Sequence, residues 1–449
     1  MSALQHAFWD ETCAGTLSDS SLLAAMSRFE AALARASAQV GIVPEAAAKI
    51  ISEVSSRAQF DATALARAAR RASTLAIPFV KQLTEKVAAV SPEAARYVHF
   101  GATSQDVVDT GVVLCLVSAT ERVLTLSRRL GDAATVLVKR HARTPMAGRT
   151  LLQPAVPVPF GWKVAVWLSM LARSHVRLRA AVREACVLQF GGAGGTLSAY
   201  GDKGDSVALA LAAELDLPRA AITWHSARDG FARLGTEVAM LTGAVGKIAR
   251  DVSLLMQPEV GEVSEPAGEG RGGSSSMPHK RNPVGCLAAL EAALRAPGLA
   301  ATLLAQLSPE HERGIGQWQS QWFTLRDLLC STASALDAMG EVLEGLQVNA
   351  TAMRVNLERS HGLVYSENVS VSLSRTLGKQ AAHALTEKLC EIVAREGKTL
   401  AEVVRADQRA SGAIGAEAIA DLFEPERCFG ASAAMIERVL ASWMQSIKA

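Results

Sequence analysis

The stretch "EGRGGSSSMPHKRNPVG" spans Glu269 to Gly285 and sets a glycine run against three serines, followed by three basic side chains between two prolines. Residues 261–273 hold five glycines, at 261, 268, 270, 272 and 273. Each glycine inside a helix costs about 1 kcal/mol relative to alanine, so a moving loop is predicted here. Asn282 and Pro283 have the chemistry of an N-cap and a first helical residue, so order is predicted to resume at that point. A helix start offers unpaired N–H groups and the positive end of a dipole, and Lys280 adds a full charge. The stretch therefore reads as an anion-binding loop in which hydroxyl, ammonium and amide groups are presented together, rather than as a passive linker.

On both sides of the loop the pattern is helical. Val112, Leu116, Ala119, Val123, Leu126, Leu130, Ala133 and Leu137 form one apolar seam; Leu234, Val238, Leu241, Val245, Ile248, Val252 and Leu255 form another. Both alternate steps of four and three, which predicts long helices that bury a stripe against other helices. Val113, Leu114 and Val117 widen the first stripe enough to face more than one neighbour, either inside a monomeric bundle or across an oligomer. The resulting expectation is all-α, in three parts: an N-terminal helical domain over 1–109, a central long-helix bundle over 110–352 that carries the loop 261–283, and a small C-terminal helical domain over 353–449. In the first part, Ser18 and Asp19 are predicted to cap a helix that stops at Gly41 and Pro44.

Composition narrows the function. Hydrophobic residues make up 49% and aromatics only 5%, and 46 Lys+Arg against 44 Asp+Glu leave a net charge of +2. That balance provides no field for nucleic acid, so an anionic ligand must be held locally, by residues such as Arg271, Lys280 and Arg281. Seven widely spaced cysteines without a CxxC pair read as reduced thiols in a cytoplasmic protein. The opening "MSALQHAFWDETCAG" has no signal-peptide pattern, and no membrane span is expected, because no charge-free apolar run reaches about 18 residues. No Cys/His cluster has metal-ligand spacing, and "GGAGGT" (191–196) misses the nucleotide-loop pattern, so neither metal nor cofactor is expected.

Three blocks carry a family resemblance. "GSSSMPHKRNP" resembles the signature GSSxMPxKxN of the fumarase/aspartase superfamily; "HFGATSQDVVDTG" (99–111) and "GRTLLQPAVPV" (148–158) are similar to its HxGxTSxDxxDT and GRTxxQxAxP blocks. The resemblance implies a homotetramer in which each active site draws the three blocks from three subunits. It implies removal of a proton alpha to a carboxylate, with departure of a group from the next carbon. Ser274 would be the base, with Ser275 the second choice. Lys280 and Asn282 would bind the carboxylate as its charge grows, and Thr103, Ser104 and Gln153 would hold the substrate's other polar groups. His99 is a candidate acid/base or carboxylate-orienting residue. Thr103 and Ser104 also sit where helix caps are expected, and the two roles are compatible.

Two departures from the family pattern sharpen the expectation. Many members have a histidine in the second block and a glutamate after the signature, a pair that protonates the leaving group; here those positions are Leu151 and Leu287. A leaving carboxylate, with a reference pKa near ~4, needs no proton. This favours the branch that closes 3-carboxy-cis,cis-muconate into a lactone over the nitrogen-expelling members. Further stretches resemble that branch: 29–44, 188–201, 224–229 and 309–318, with His225 and His311 in supporting roles. Gln321 stands where that branch is expected to have a glutamate. The expected ligand is a small di- or tricarboxylate. Adenylosuccinate lyase, a sulfomuconate cycloisomerase and a non-catalytic structural relative remain the alternatives.

Overall fold

A computed structural model describes residues 3–268, 271–273, 276–277 and 279–448. The fold is all-α, as its sequence pattern predicts, with two short two-stranded pieces. The long helices are Asp19–Gln39, Ser104–Arg140, Phe160–Ala185, Asp229–Leu255, Val284–Leu304 and Gln317–Glu344. Every residue of the two predicted seams is buried. Ser18 caps the Asp19–Gln39 helix by accepting the Ser21 N–H, and Gly41 leaves it with φ +71°.

Two compact units divide the chain: residues 1–126, 174–243 and 291–337 form one, and residues 127–173, 244–290 and 338–449 the other. The division falls inside five of the long helices, from Ser104–Arg140 to Gln317–Glu344.

The second unit holds a β-hairpin. Strand Pro145–Thr150 pairs antiparallel with Gln153–Pro159 and has a register shift between Ala147 and Arg149. Gly148 sits in that shift, where a Cβ would come 2.8 Å from the Val156 carbonyl oxygen. Met146 and Ala147 are buried; Ala147 packs with Leu357, Val364 and Tyr365 of the same unit.

One helix needs separate mention. The helix Val284–Leu304 is long and apolar enough to cross a membrane by length and composition, with a mean hydropathy of 1.4. It escaped the charge-free criterion because it carries Glu291 and Arg295, one helical turn apart and paired with each other at 3.3 Å. Only 28% of its apolar window is buried within the chain.

Candidate active site

In the first unit, the block His99–Gly111 is an irregular turn running into the Ser104–Arg140 helix. Gly101 takes φ +71°, and a Cβ there would run into the Tyr200 ring, whose hydroxyl donates to the Phe100 carbonyl. The glycine of the block is thus a steric requirement.

Asp106, fully buried in the helix's first turn, organises this end. Its carboxylate accepts the Thr103 N–H (3.0 Å), the Gly191 and Gly192 N–H groups (3.0 and 2.9 Å) and lies 2.7 Å from His225 Nε2. Gly191 and Gly192 therefore aim their N–H groups at an internal carboxylate, and His225 supports that carboxylate.

One turn further along, Asp109 receives Arg228 through two bonds of 2.6 and 3.1 Å, and Arg228 Nε donates to Gln321 Oε1 at 2.9 Å. The guanidinium lies 4.8 Å from the Trp224 ring centre and 5.0 Å from that of Phe231. With glutamine at 321, Arg228 faces one carboxylate and one neutral carbonyl. A cavity of about 450 Å³ opens beside this cluster, lined by Leu22, Val112, Phe231, Trp318, Trp322 and others; no predicted site residue lines it.

His99 is held differently. Its backbone is left-handed, at φ 57°, and its Nδ1 lies 2.6 Å from Glu30 Oε1. Burial pushes the imidazole pKa down, but the Glu30 carboxylate, its hydrogen bond and the more distant Asp106 charge outweigh this, so the pKa is raised. His99 consequently keeps its charge to higher pH than an ordinary histidine, which suits a proton donor or an anion-orienting cation better than a base. Thr103 Oγ1 accepts from Arg313 Nη1 at 3.1 Å, and Ser104 is half-buried beside it at the helix start.

Sequence reasoning missed Glu30 and Arg313. Glu30 had a legible signal: it falls on the buried face of its helix with Met26, Phe29 and Leu33, where an acid needs a partner. Arg313 lies inside the stretch 309–318, but nothing local ties it to Thr103, 210 residues away in the chain.

The second unit carries Gln153, Lys280 and Asn282. Gln153 is exposed and pairs with Thr150 across the hairpin. Lys280 is exposed, and Asn282 is half-buried with its backbone N–H on the Gly272 carbonyl at 2.8 Å. Ser274 and Ser275, the predicted base and its alternative, lie outside the described residues.

Two expectations for the loop are corrected. The helix begins at Val284 rather than at Pro283, and its free N–H groups are not available to an anion. Buried Glu265 accepts the Gly285 and Cys286 N–H groups at 3.1 and 2.9 Å, so an internal carboxylate already answers the helix dipole. Arg271, one of the three basic candidates, is paired with Glu341 at 2.7 Å.

At the hairpin tip, Thr150 pairs with Gln153, which leaves Leu151 and Leu152 as a two-residue turn with φ 50° and 67°. A turn with both residues left-handed favours Asn-Gly; a leucine in that conformation costs about 1–2 kcal/mol. The tip is anchored two residues upstream, where Arg149 meets Glu262 through bonds of 2.6 and 3.0 Å, with Glu262 fully buried and also bonded to Asn356.

Comparison with known proteins agrees with this geometry. A family model described as Lyase matches residues 4–298, and one described as Adenylosuccinate lyase C-terminus matches 362–439. The chain is 50% identical over 425 residues to a 3-carboxy-cis,cis-muconate cycloisomerase of Bradyrhizobium diazoefficiens, covering 94% of each chain. It is 41% identical to a nitrosuccinate lyase of Streptomyces davaonensis, covering 94% of this chain and 91% of that one. The crystal structure of the 3-carboxy-cis,cis-muconate lactonizing enzyme from Pseudomonas putida superposes with a TM-score of 0.93 at 39% identity, covering 99% of both chains. The three sequence blocks, the long-helix architecture and these matches together place the chain in the fumarase/aspartase superfamily of lyases, to which it belongs.

Proposed function

We propose that this protein is a cycloisomerase that converts 3-carboxy-cis,cis-muconate to 4-carboxymuconolactone, a step of aromatic-acid breakdown. An internal carboxylate oxygen forms a C–O bond to one carbon of the double bond, and the released electron pair takes a proton at the neighbouring carbon, alpha to a second carboxylate. Reversed, this is alpha-proton removal with a carboxylate leaving as an anion. The observation that carries the choice within the family is the apolar hairpin tip. Leu151 stands where a proton donor would serve a poor leaving group, and a relative with 50% identity is named for this reaction.

In this reading Ser274, with Ser275 as its alternative, exchanges the alpha proton. Lys280 and Asn282 hold the carboxylate whose charge grows, and Gln153, Thr103 and Ser104 hold the remaining polar groups. His99, charged through Glu30, orients a carboxylate or donates the proton. Arg313 joins them as an anion-binding residue through its bond to Thr103.

The site is shared among subunits of a homotetramer. Supporting this, Leu294 is 78% exposed and Leu287 53% exposed on a helix whose apolar surface the single chain leaves open. The protein works in the cytoplasm without metal or cofactor. In support of that compartment, all seven cysteines are free, and burial pushes the Cys115 and Cys186 thiols up to about 12, so they stay protonated.

Nitrosuccinate is a second substrate to test, because a nitro group leaving as nitrite also departs without a proton. The experiment follows loss of the muconate's ultraviolet absorbance, beside nitrosuccinate, adenylosuccinate and a sulfomuconate. Turnover of the muconate that Ser274→Ala abolishes supports the reading; turnover of adenylosuccinate alone overturns it.

A further inference from the structure

Arg313 reaches the Thr103 hydroxyl and the Ala193 carbonyl, at 3.1 and 3.3 Å, from the irregular loop that precedes the Gln317–Glu344 helix. Both acceptors are neutral, and among the described residues no carboxylate pairs with this half-buried guanidinium. Its Nε is buried without a hydrogen-bond partner. A guanidinium in that state is available to a carboxylate from outside the chain. Its aim depends on the shape of the loop, and one side chain closes that loop. Glu310 Oε2 accepts the Ile315 N–H at 3.0 Å, and both Glu310 oxygens lie 3.2 Å from the Gln317 Nε2 donor. Arg313 sits midway along the segment these bonds close. Little slack is left inside it: a Cβ on buried Gly314 would come 2.5 Å from Gln317 Oε1 and 2.6 Å from Pro309 Cβ. The Ile315 N–H, with Glu310's own N–H and the Gln317 amide, holds the Glu310 carboxyl below the usual carboxylate range, so the closing acceptor stays charged at neutral pH.

We infer that Glu310 is a positioning residue: its carboxylate closes the loop 310–317 and so aims Arg313 at a substrate carboxylate. This rests on the proposed function, in which Arg313 binds a substrate anion. Glu310 meets no substrate and moves no proton; it acts only through Arg313. An anchoring guanidinium holds the substrate and the transition state alike, so misplacing it raises KM and leaves kcat nearly unchanged.

The test compares Glu310→Ala, Glu310→Gln, Arg313→Ala and the Glu310→Ala/Arg313→Ala double variant with wild type, all as the full-length protein. KM and kcat are measured with 3-carboxy-cis,cis-muconate, and opening of the loop is read from the rate of trypsin cleavage after Arg313, with the thermal midpoint as the control for folding. Glu310→Ala should raise KM about tenfold with kcat within about threefold. It should also speed cleavage after Arg313 by about fivefold or more at an unchanged midpoint. Glu310→Gln keeps an acceptor for the Ile315 N–H and should recover most of the KM. Once Arg313 is alanine, adding Glu310→Ala should change KM no further. An unchanged KM in Glu310→Ala, or effects of the two substitutions that add, overturns the inference and leaves the substrate reading intact. A wild type inert toward the muconate removes the substrate reading; the closure of the loop is then judged by trypsin, and unchanged cleavage in Glu310→Ala overturns it as well.

Discussion

His99 Nδ1 and Glu30 Oε1 lie 2.6 Å apart, joining the first residue of a sequence block to a buried acid 69 positions earlier in the chain. The carboxylate sets the charge of the ring, because without it burial alone would push the imidazole pKa down.

Glu30→Gln should therefore move the His99 titration to lower pH. The raised folded pKa gives stability that is fully present below the unfolded value near ~6.5 and is lost as pH rises through the folded value above it. In the variant that contribution disappears, so its deficit relative to wild type should be largest at acidic pH and shrink toward alkaline pH. The alkaline limb of kcat/KM should shift down, with a loss on the order of tenfold or more at neutral pH if His99 acts as an acid. Histidine NMR titration beside a pH–rate profile reads both; an unmoved His99 titration would refute the coupling.

The Arg228–Asp109 pair is buried, and Gln105 and Gln189 also donate to Asp109. Asp109→Ala strands a guanidinium in the interior and should cost about 3–5 kcal/mol of unfolding free energy. Gln321→Leu removes only a neutral acceptor and should cost about 1–3 kcal/mol. Urea unfolding measures each, and a cost below about 1 kcal/mol for Asp109→Ala would contradict the pairing.

Glu265→Ala should uncap the Val284–Leu304 helix at a cost of about 0.5–2 kcal/mol. The freed N–H groups should then accept an external anion, so added sulfate should raise the variant's thermal midpoint more than that of wild type. Equal responses in the two proteins would show that Glu265 does not occupy the helix start.

What the sequence made legible was whatever is local or periodic. The seams at 112–137 and 234–255 repeat along one helix face, so they predicted which residues are buried without knowledge of any partner. Ser18 capped its helix as its chemistry predicts. The misreadings arose where a distant residue decides the local outcome. Asn282 and Pro283 looked like a helix start open to an anion, but Glu265, about twenty positions away, fills it. The spacing of the loop glycines at 191–196 argues against a nucleotide site, but it does not reveal that Asp106 takes the N–H groups of Gly191 and Gly192. Likewise the charge on His99 depends on Glu30, and the hydroxyl of Thr103 on Arg313, neither of which any spacing rule connects. The leucine turn was visible as letters, but its left-handed strain and exposure were not.

In the proposed reaction the chain lactonises a carboxymuconate by serine-mediated proton transfer without protonating its leaving group. The most direct measurement is the ultraviolet assay of the purified, metal-free protein with 3-carboxy-cis,cis-muconate, run beside Ser274→Ala and with adenylosuccinate as the counter-substrate. Rapid, Ser274-dependent loss of diene absorbance and no cleavage of adenylosuccinate are expected. An inert muconate with active adenylosuccinate would contradict the proposed reaction, and would show that Leu151 and Leu287 do not mark the choice of leaving group.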